Sequence, residues 1–304
     1  MEILSKMKTV SVVIPTYKNR GGLVKSIDSV LSQDCPNLLE IIVVDDNDPS
    51  SEFRKATASI MKQYEGSEFV KYICHEANKN GAAARNTGIR ASRGDYIAFL
   101  DDDDLFLANK LNKQIAYLDN TSNVDAVYCF AQRKEKTVST RIIEGDGTRD
   151  ILLLQSNFFT PSLMFRRKAL ETINGFDETF RRHQDYDLML RFFNAGFSIG
   201  CVPKVLIEIG LNEGENIPKG ENLNQLKTFF FEKFTGFIDK EDARTPGFKK
   251  KVYAKHYAGV FLSHIKNGFY SMAFRTFCTY FRYSPLTFCG VVWQSFVVHL
   301  KGNT

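Results

Sequence analysis

Residues 95–104 read DYIAFLDDDD. A short apolar run ends in four consecutive carboxylates, and that junction decides the fold. Like charges side by side repel, so a bound cation, a helix start or plain solvation must offset the repulsion. Two earlier runs end in a similar way. VSVVIPTYKN (10–19) leads through Pro15 and Thr16 to Tyr17, and LEIIVVDDND (39–48) leads to Asp45 and Asp46. Between the runs apolar residues recur at helical spacing: Leu23, Ile27, Val30 and Leu31, then Phe53, Ala56, Ile60 and Tyr64. FVKYIC (69–74) reads as a further strand and GAAARNTGIRAS (81–92) as a short helix. Beyond the acidic run, Leu107, Leu111, Ile115 and Leu118 mark another helix, and DAVYCFA (125–131) a fifth strand. Continuous Val/Ile runs separated by helices predict a parallel sheet covered on both faces. Ligands of such sheets bind outside the carboxyl ends of the strands. PTYKN, DDND and DDDD then fall on one edge.

From residue 150 to about 212 the pattern changes. NFFTPSLMFRRKAL (157–170) reads as a strand leading into a helix, and GFDETF (175–180) as a turn. HQDYDLMLRFFNAG (183–196) reads as a helix with Leu188, Met189, Phe192 and Phe193 inward. LNEGENIPKGENLN (211–224) is polar and rich in Gly and Asn, a linker candidate. The rest is aromatic, basic and helical in pattern.

The 304 residues suit one large domain or one with an appendage, and a 43% hydrophobic fraction is ordinary for a core-forming chain. The six cysteines are scattered with no C-x-x-C pair, which argues against a zinc site or disulfide framework and for a reducing, cytoplasmic setting. MEILSKMKTV lacks an apolar h-region, so no signal peptide is expected. No apolar run reaches the ~18 residues of a spanning helix. Charge is uneven. Residues 1–218 hold 27 Lys and Arg against 30 Asp and Glu, whereas 219–304 hold 13 against 5. A basic tail on a mildly acidic body points to an anionic partner for the tail.

In an extended segment Asp101 and Asp103 point to one side and Asp102 to the other. Two carboxylates on one side suit a hard divalent cation completed by water and phosphate. The rival is a helix start with Asp104 as N-cap. Asp46 fits either a turn opening or a hydrogen bond to a base or ribose. Tyr17 fits either the core or a stacking platform. Arg85, in a helix of small residues, suits a carboxylate or a phosphate.

VSVVIPTYKN, IIVVDDND, NGAAARNTGIRASRGDYIAFLDDDD and GFDETFRRHQDYDLMLR occur in that order. Together they resemble glycosyltransferase family 2, inverting enzymes of the GT-A fold, over about residues 8–210. The resemblance implies a Rossmann-like α/β fold, with a mostly parallel sheet flanked by helices and a helical C-terminal region. It places a catalytic domain at 1–215, with a nucleotide-sugar half at about 8–130 and an acceptor half at about 131–212, followed by a region at 216–304. It implies transfer of a hexosyl or N-acetylhexosaminyl group from a nucleoside-diphosphate sugar, a UDP-sugar above all, to an acceptor hydroxyl. The acceptor class would be a growing lipid-linked saccharide. Pro15, Thr16 and Tyr17 would cradle the uracil, and Asp46 would hydrogen-bond the base. Arg85 would approach the nucleotide. Asp101, Asp102 and Asp103 resemble the D-x-D motif: Asp101 and Asp102 at the ribose and metal shell, Asp101 and Asp103 on Mn²⁺ or Mg²⁺. Asp185 would be the general base.

One departure stands out. The family usually carries Glu-Asp where this chain has Gln184-Asp185. Glutamine is no base, so Asp187 becomes the competing carboxylate, about 200° away from Asp185 around a helix. His183 reads as a surface residue rather than a further ligand. The departure also keeps open a non-catalytic sugar-nucleotide-binding or scaffold protein of the same fold. A dehydrogenase would need G-x-G-x-x-G after the first strand and a phosphate-loop NTPase G-K-[ST]; both are absent. A nucleotidyltransferase would carry a Gly-rich basic loop there. No nucleic-acid partner is expected. In the tail, Leu286, Cys289, Trp293, Phe296, Val297 and Leu300 share a helical face. That face either packs on the catalytic domain or lets 225–304 dock peripherally on an anionic membrane surface, at its cytoplasmic side.

Overall fold

The computed structural model describes residues 7–19, 21–134, 136–138, 141–156, 158–210 and 218–301, side chains 298–301 excepted. Half of the expected linker, 211–217, lies outside the described residues.

The elements run β1 (Val10–Thr16), α1 (Leu23–Leu31), β2 (Leu38–Asp45), α2 (Glu52–Met61), β3 (Val70–Cys74), α3 (Gly81–Ala91) and β4 (Tyr96–Phe99). Then come β5 (Leu105–Phe106), α4 (Lys110–Asn120), β6 (Ala126–Arg133), β7 (Lys136–Thr137), α5 (Thr148–Leu152), β8 (Met164–Arg166), α6 (Arg167–Thr172), α7 (Gln184–Asn194) and β9 (Ile199–Glu208). Four helices follow: α8 (Gly220–Arg244), α9 (Phe248–Lys266), α10 (Tyr270–Tyr280) and α11 (Pro285–Lys301). Gly220–Asn224, read as linker, thus opens α8.

Among the described residues the strands form one sheet in the order β3-β2-β1-β4-β8-β6-β9-β5, with β7 on β6. β3, β2, β1 and β4 are parallel, and so are β6 and β9. β8 runs antiparallel to both β4 and β6. The sheet is therefore mostly parallel, as expected from the βα alternation, with an antiparallel break at its centre. The break falls where that alternation ends.

Strand alternation explains the apolar runs. Val12, Ile14, Ile41 and Val43 face one cluster with Leu23, Ile27 and Val30 of α1, while Ile42 and Val44 face Ala84 of α3. Both faces are covered, so Val12–Ile14 and Ile41–Val44 are continuously apolar. Gly88 lets α3 approach β1, since a Cβ there would meet a Val13 methyl at 2.2 Å. Two expected stripes shift. α2 buries Thr57 and Met61 rather than Phe53, and Leu31 at the end of α1 is exposed.

Two compact units divide the chain: Met1–Gly147 with Asn157–Leu211, and Thr148–Ser156 with Asn212–Thr304. The first holds the sheet. The second is helical, with Phe230, Phe234, Ile238, Phe248, Val252 and Phe288 in its core. α5 belongs to this second unit although sequence pattern placed it with the sheet.

Candidate active site

The strand register brings the sequence signals together. Thr16 pairs with Asp45, Asp45 with Cys74, and Val13 with Phe99, so β1, β2 and β4 end on one edge. Tyr17, Asp46 and the acidic run leave from that edge.

Asp101 to Asp104 form a turn, not an extended segment: the Asp104 N–H donates to the Asp101 carbonyl at 3.1 Å. The expected two-sided display is replaced by three separate directions. Asp101 Oδ1 accepts from Arg85 Nη2 at 2.6 Å. Asp102 Oδ2 accepts from the Thr16 hydroxyl at 2.5 Å, and its carbonyl from Asn19 Nδ2 at 3.0 Å. Asp103 borders a cavity of about 350 Å³ whose wall includes Lys25, Lys134 and Glu208. Gly22 makes room for this turn, because a Cβ there would meet the Asp102 carbonyl oxygen at 2.5 Å. Asp104 is not an N-cap. It is buried and accepts from the Gly210 N–H at 2.7 Å, while α4 starts six residues on, after Asn109. The short β5 occupies the place of the expected helix start.

Crowding raises the carboxyls. Burial, with Asp101 and Asp103 alongside, pushes Asp102 up to about 6 against the bonds from Thr16 and Asn19. Burial and Asp101 raise Asp103 as well. Burial and Asp101 push Asp104 to about 8. Clustered oxygens whose ionised form is disfavoured are the donors a hard divalent cation relieves. The residues therefore fit Mn²⁺ or Mg²⁺ in kind. Among the described residues no group of three or more His, Cys, Asp or Glu is placed to hold a metal ion. The chain would supply one or two carboxylates, and phosphate and water the remaining positions.

Arg85 is the hub. Its Nη1 donates to Gln184 Oε1 at 2.9 Å and its Nη2 to Asp101, and its guanidinium lies 5.5 Å from the Phe176 ring. Gln184 in turn donates to the Phe180 carbonyl at 2.8 Å. The residue that departs from the family pattern thus anchors Arg85 at the start of α7. Beside it, Asp185 is partly exposed and accepts from the Tyr186 N–H at 3.0 Å. Burial pushes its carboxyl up to about 6, tempered by that bond and by Arg85. Asp187 faces elsewhere: it is buried and pairs with Arg191 at 2.7 Å. His183 stacks on Tyr186, ring centres 5.2 Å apart.

Tyr17 is 47% exposed, with Lys18 Nζ 5.0 Å from its ring centre, so it has no core role. Pro15 is half-buried and Thr16 buried. Asp46 requires correction. Oδ1 accepts from His75 Nδ1 at 2.7 Å and the Lys79 N–H at 2.8 Å; Oδ2 accepts from Asn78 Nδ2 at 2.8 Å and the Asn80 N–H at 2.9 Å. Four donors fill a carboxylate. Asp46 holds the 75–80 loop and has no site left for a base.

Several members escaped the sequence reading. Arg54 donates to the Asp45, Asn47 and His75 carbonyls and pairs with the Asp45 carboxylate at 3.1 Å. Asn86 exchanges two 2.8 Å bonds with the backbone of Phe176, tying α3 to the 176–180 loop. A lone Arg on an exposed helix carries no local signal. Asn86 sat inside the NGAAARN stretch and could have been found there.

The sequence profile of the family described as glycosyl transferase family 2 matches residues 11–187. The chain belongs to this family. It is therefore a glycosyltransferase. It is 29% identical over 187 residues to an uncharacterized glycosyltransferase of Haemophilus influenzae, the match covering 60% of each protein. It is 33% identical over 196 residues to the putative glycosyltransferase EpsE of Bacillus subtilis, covering 62% of this chain and 68% of EpsE. The S. aureus TarS 1–349 structure in complex with UDP-GlcNAc shares the fold, with TM-score 0.58 and 18% identity over 83% of this chain and 81% of that one.

Proposed function

We propose that this family 2 enzyme transfers a hexosyl or N-acetylhexosaminyl group from a UDP-sugar to an acceptor hydroxyl with inversion, Asp185 being the base. The carrying observation is the Arg85 bridge. One guanidinium links the acidic turn after β4 to Gln184 beside Asp185, so donor-side and base-side groups lie on one edge. Tyr17 offers an exposed ring for the base, with Pro15 and Thr16 behind it. Thr16 holds the Asp102 carboxylate and Asn19 its carbonyl, and in this reading Asp102 serves the ribose. Asp46 shapes the 75–80 loop rather than touching the base.

Asp103, with Asp101, would hold Mn²⁺ or Mg²⁺, which would supply positive charge for the leaving diphosphate. Asp185 accepts the acceptor hydroxyl's proton as that oxygen attacks the anomeric carbon, and the nucleoside diphosphate leaves from the opposite side. A carboxyl near 6 is mostly ionised at neutral pH yet a stronger base than an ordinary aspartate. The likeness to a UDP-GlcNAc-binding fold supports a UDP donor. The acceptor we infer is a lipid-linked saccharide. The 1–215 stretch would carry catalysis, and 216–304 would serve the acceptor side.

The test is release of UDP from a panel of UDP-sugars with and without Mn²⁺. Slow metal-dependent hydrolysis of one donor supports the reading. No release from any donor would overturn it: with a thermal shift on UDP the chain returns to a sugar-nucleotide-binding role, and without one to a scaffold role.

A further inference from the structure

α11 begins at Pro285 and carries no Asp, Glu, Lys or Arg until Lys301. Its inward anchor is Phe288, which is 1% exposed and packs against Phe261, Phe277 and Phe281. The opposite face is bare. Leu286 is 90% exposed, Trp293 66% and Phe296 58%, with Cys289 also exposed between them. These positions recur at helical spacing, and the Trp293 and Phe296 rings stand 6.2 Å apart. A run of large apolar side chains this open needs a partner.

Charge selects the partner. From Ala243 to Thr304 the sequence has nine Lys and Arg and no Asp or Glu. Lys250, Lys251, Lys266, Arg275 and Arg282 are all exposed in the helical unit. A second copy would bring like charge against like, which disfavours self-association. An anionic surface is attracted instead, and an aromatic and aliphatic face in the same basic unit suits the boundary between headgroups and acyl chains. Among the described residues no helix is long and apolar enough to cross a membrane.

We propose that the exposed face of α11 docks the protein on an anionic lipid bilayer, Leu286, Trp293 and Phe296 inserting while the basic residues of 244–301 supply attraction. This goes beyond the sugar-transfer reading, and a binding assay needs no turnover, so the two fail separately.

Trp293 is the sole tryptophan of the chain and reports its own environment. The full chain is mixed at low salt with phosphatidylcholine vesicles, or with vesicles of phosphatidylcholine and phosphatidylglycerol. The expected result is co-flotation and a blue shift of Trp293 emission with the anionic vesicles only, weakening as salt rises. Leu286→Ser with Phe296→Ser should reduce partitioning at least about tenfold, with the melting temperature kept, because both side chains are already in water. Absence of flotation and of a blue shift with anionic vesicles overturns the proposal. Equal flotation of the double variant also overturns it. A concentration-dependent dimer abolished by the double variant, without flotation of the parent, would overturn it by assigning the face to a second copy.

Discussion

Replacing Asp185 by asparagine removes the proposed base while keeping its shape, and the structure gives the change two opposite signatures. The carboxyl sits at about 6, raised by burial from 3.8. A raised native pKa means the folded state holds the proton more tightly than the unfolded chain. The group therefore stabilises the fold below about pH 4 and loses that contribution as pH rises through 6. At pH 7.5 the ionised Asp185 works against folding. The full shift corresponds to about 3 kcal/mol, and partial exposure brings it to roughly 1–2 kcal/mol. Asp185→Asn should thus raise the melting temperature, by about 2–4 °C per kcal/mol, while lowering turnover by about 10²–10⁴-fold. The parent's kcat/KM, which reports the ligand-free enzyme, should fall about tenfold between pH 7 and pH 5; an aspartate at its ordinary pKa would lose less than a tenth. Asp187→Asn is the control. It breaks a 2.7 Å pair with Arg191 in a buried setting, so it should lower stability and spare the pH profile. UDP release against pH and thermal melting of the three proteins measure all of this. The reasoning fails if Asp185→Asn keeps most activity, if it melts lower than the parent, or if Asp187→Asn shows the larger loss of turnover.

Asp103→Ala should abolish the Mn²⁺-dependent part of the thermal shift produced by UDP; an unchanged shift would remove Asp103 from metal binding. Gln184→Glu adds a carboxylate that competes for Arg85, so the acid limb of kcat/KM should move above pH 6; a limb that stays put would show that Arg85 does not tune Asp185. Arg54→Ala removes the cation paired with the buried Asp45 carboxylate while leaving its bonds from Asn47 and Tyr72, and urea denaturation should show a loss of about 3 kcal/mol, the low end for a broken buried pair. Lys110 is fully buried, bonded to Gln114 at 2.8 Å and 3.9 Å from the Phe106 ring centre, and burial lowers it to about 8. Its unfolded form keeps the proton longer, so the parent's stability should rise from pH 8 toward 10, and Lys110→Met should lose that slope.

The parallel half of the sheet was legible because burial on both faces writes itself as continuous Val and Ile, as at Val12–Ile14 of β1 and Ile41–Val44 of β2. β8 was legible as a strand, but its antiparallel direction was not. Direction is set by how the chain returns after 160–163, and no residue type encodes it. The face of α2 was misread because Thr57, not Phe53, packs inward, a choice fixed by neighbours that periodicity does not see. The acidic turn was located correctly and its geometry was not. Four carboxylates announce a site, but residues outside the run, among them Thr16, Gly22, Arg85 and Gly210, determine which way they point.

The same distinction separates Asp46 from Asp185. Both are aspartates at the sheet edge, and a motif assigns both to ligand contact. Asp46 meets four donors from the 75–80 loop, so its charge is spent inside the protein. Asp185 meets only the backbone N–H groups of Tyr186 and its own residue, with Arg85 nearby, and burial leaves it short of compensation. A carboxylate satisfied by its own fold positions others, whereas one left short of donors retains proton affinity for a substrate. Gln184 sharpens that contrast. With glutamate there, two adjacent carboxyls would share Arg85, and a proton would be divided between them. With glutamine, the amide holds Arg85 without charge and a single carboxyl is left to titrate. On this argument the departure from the family pattern simplifies the base instead of marking its decay.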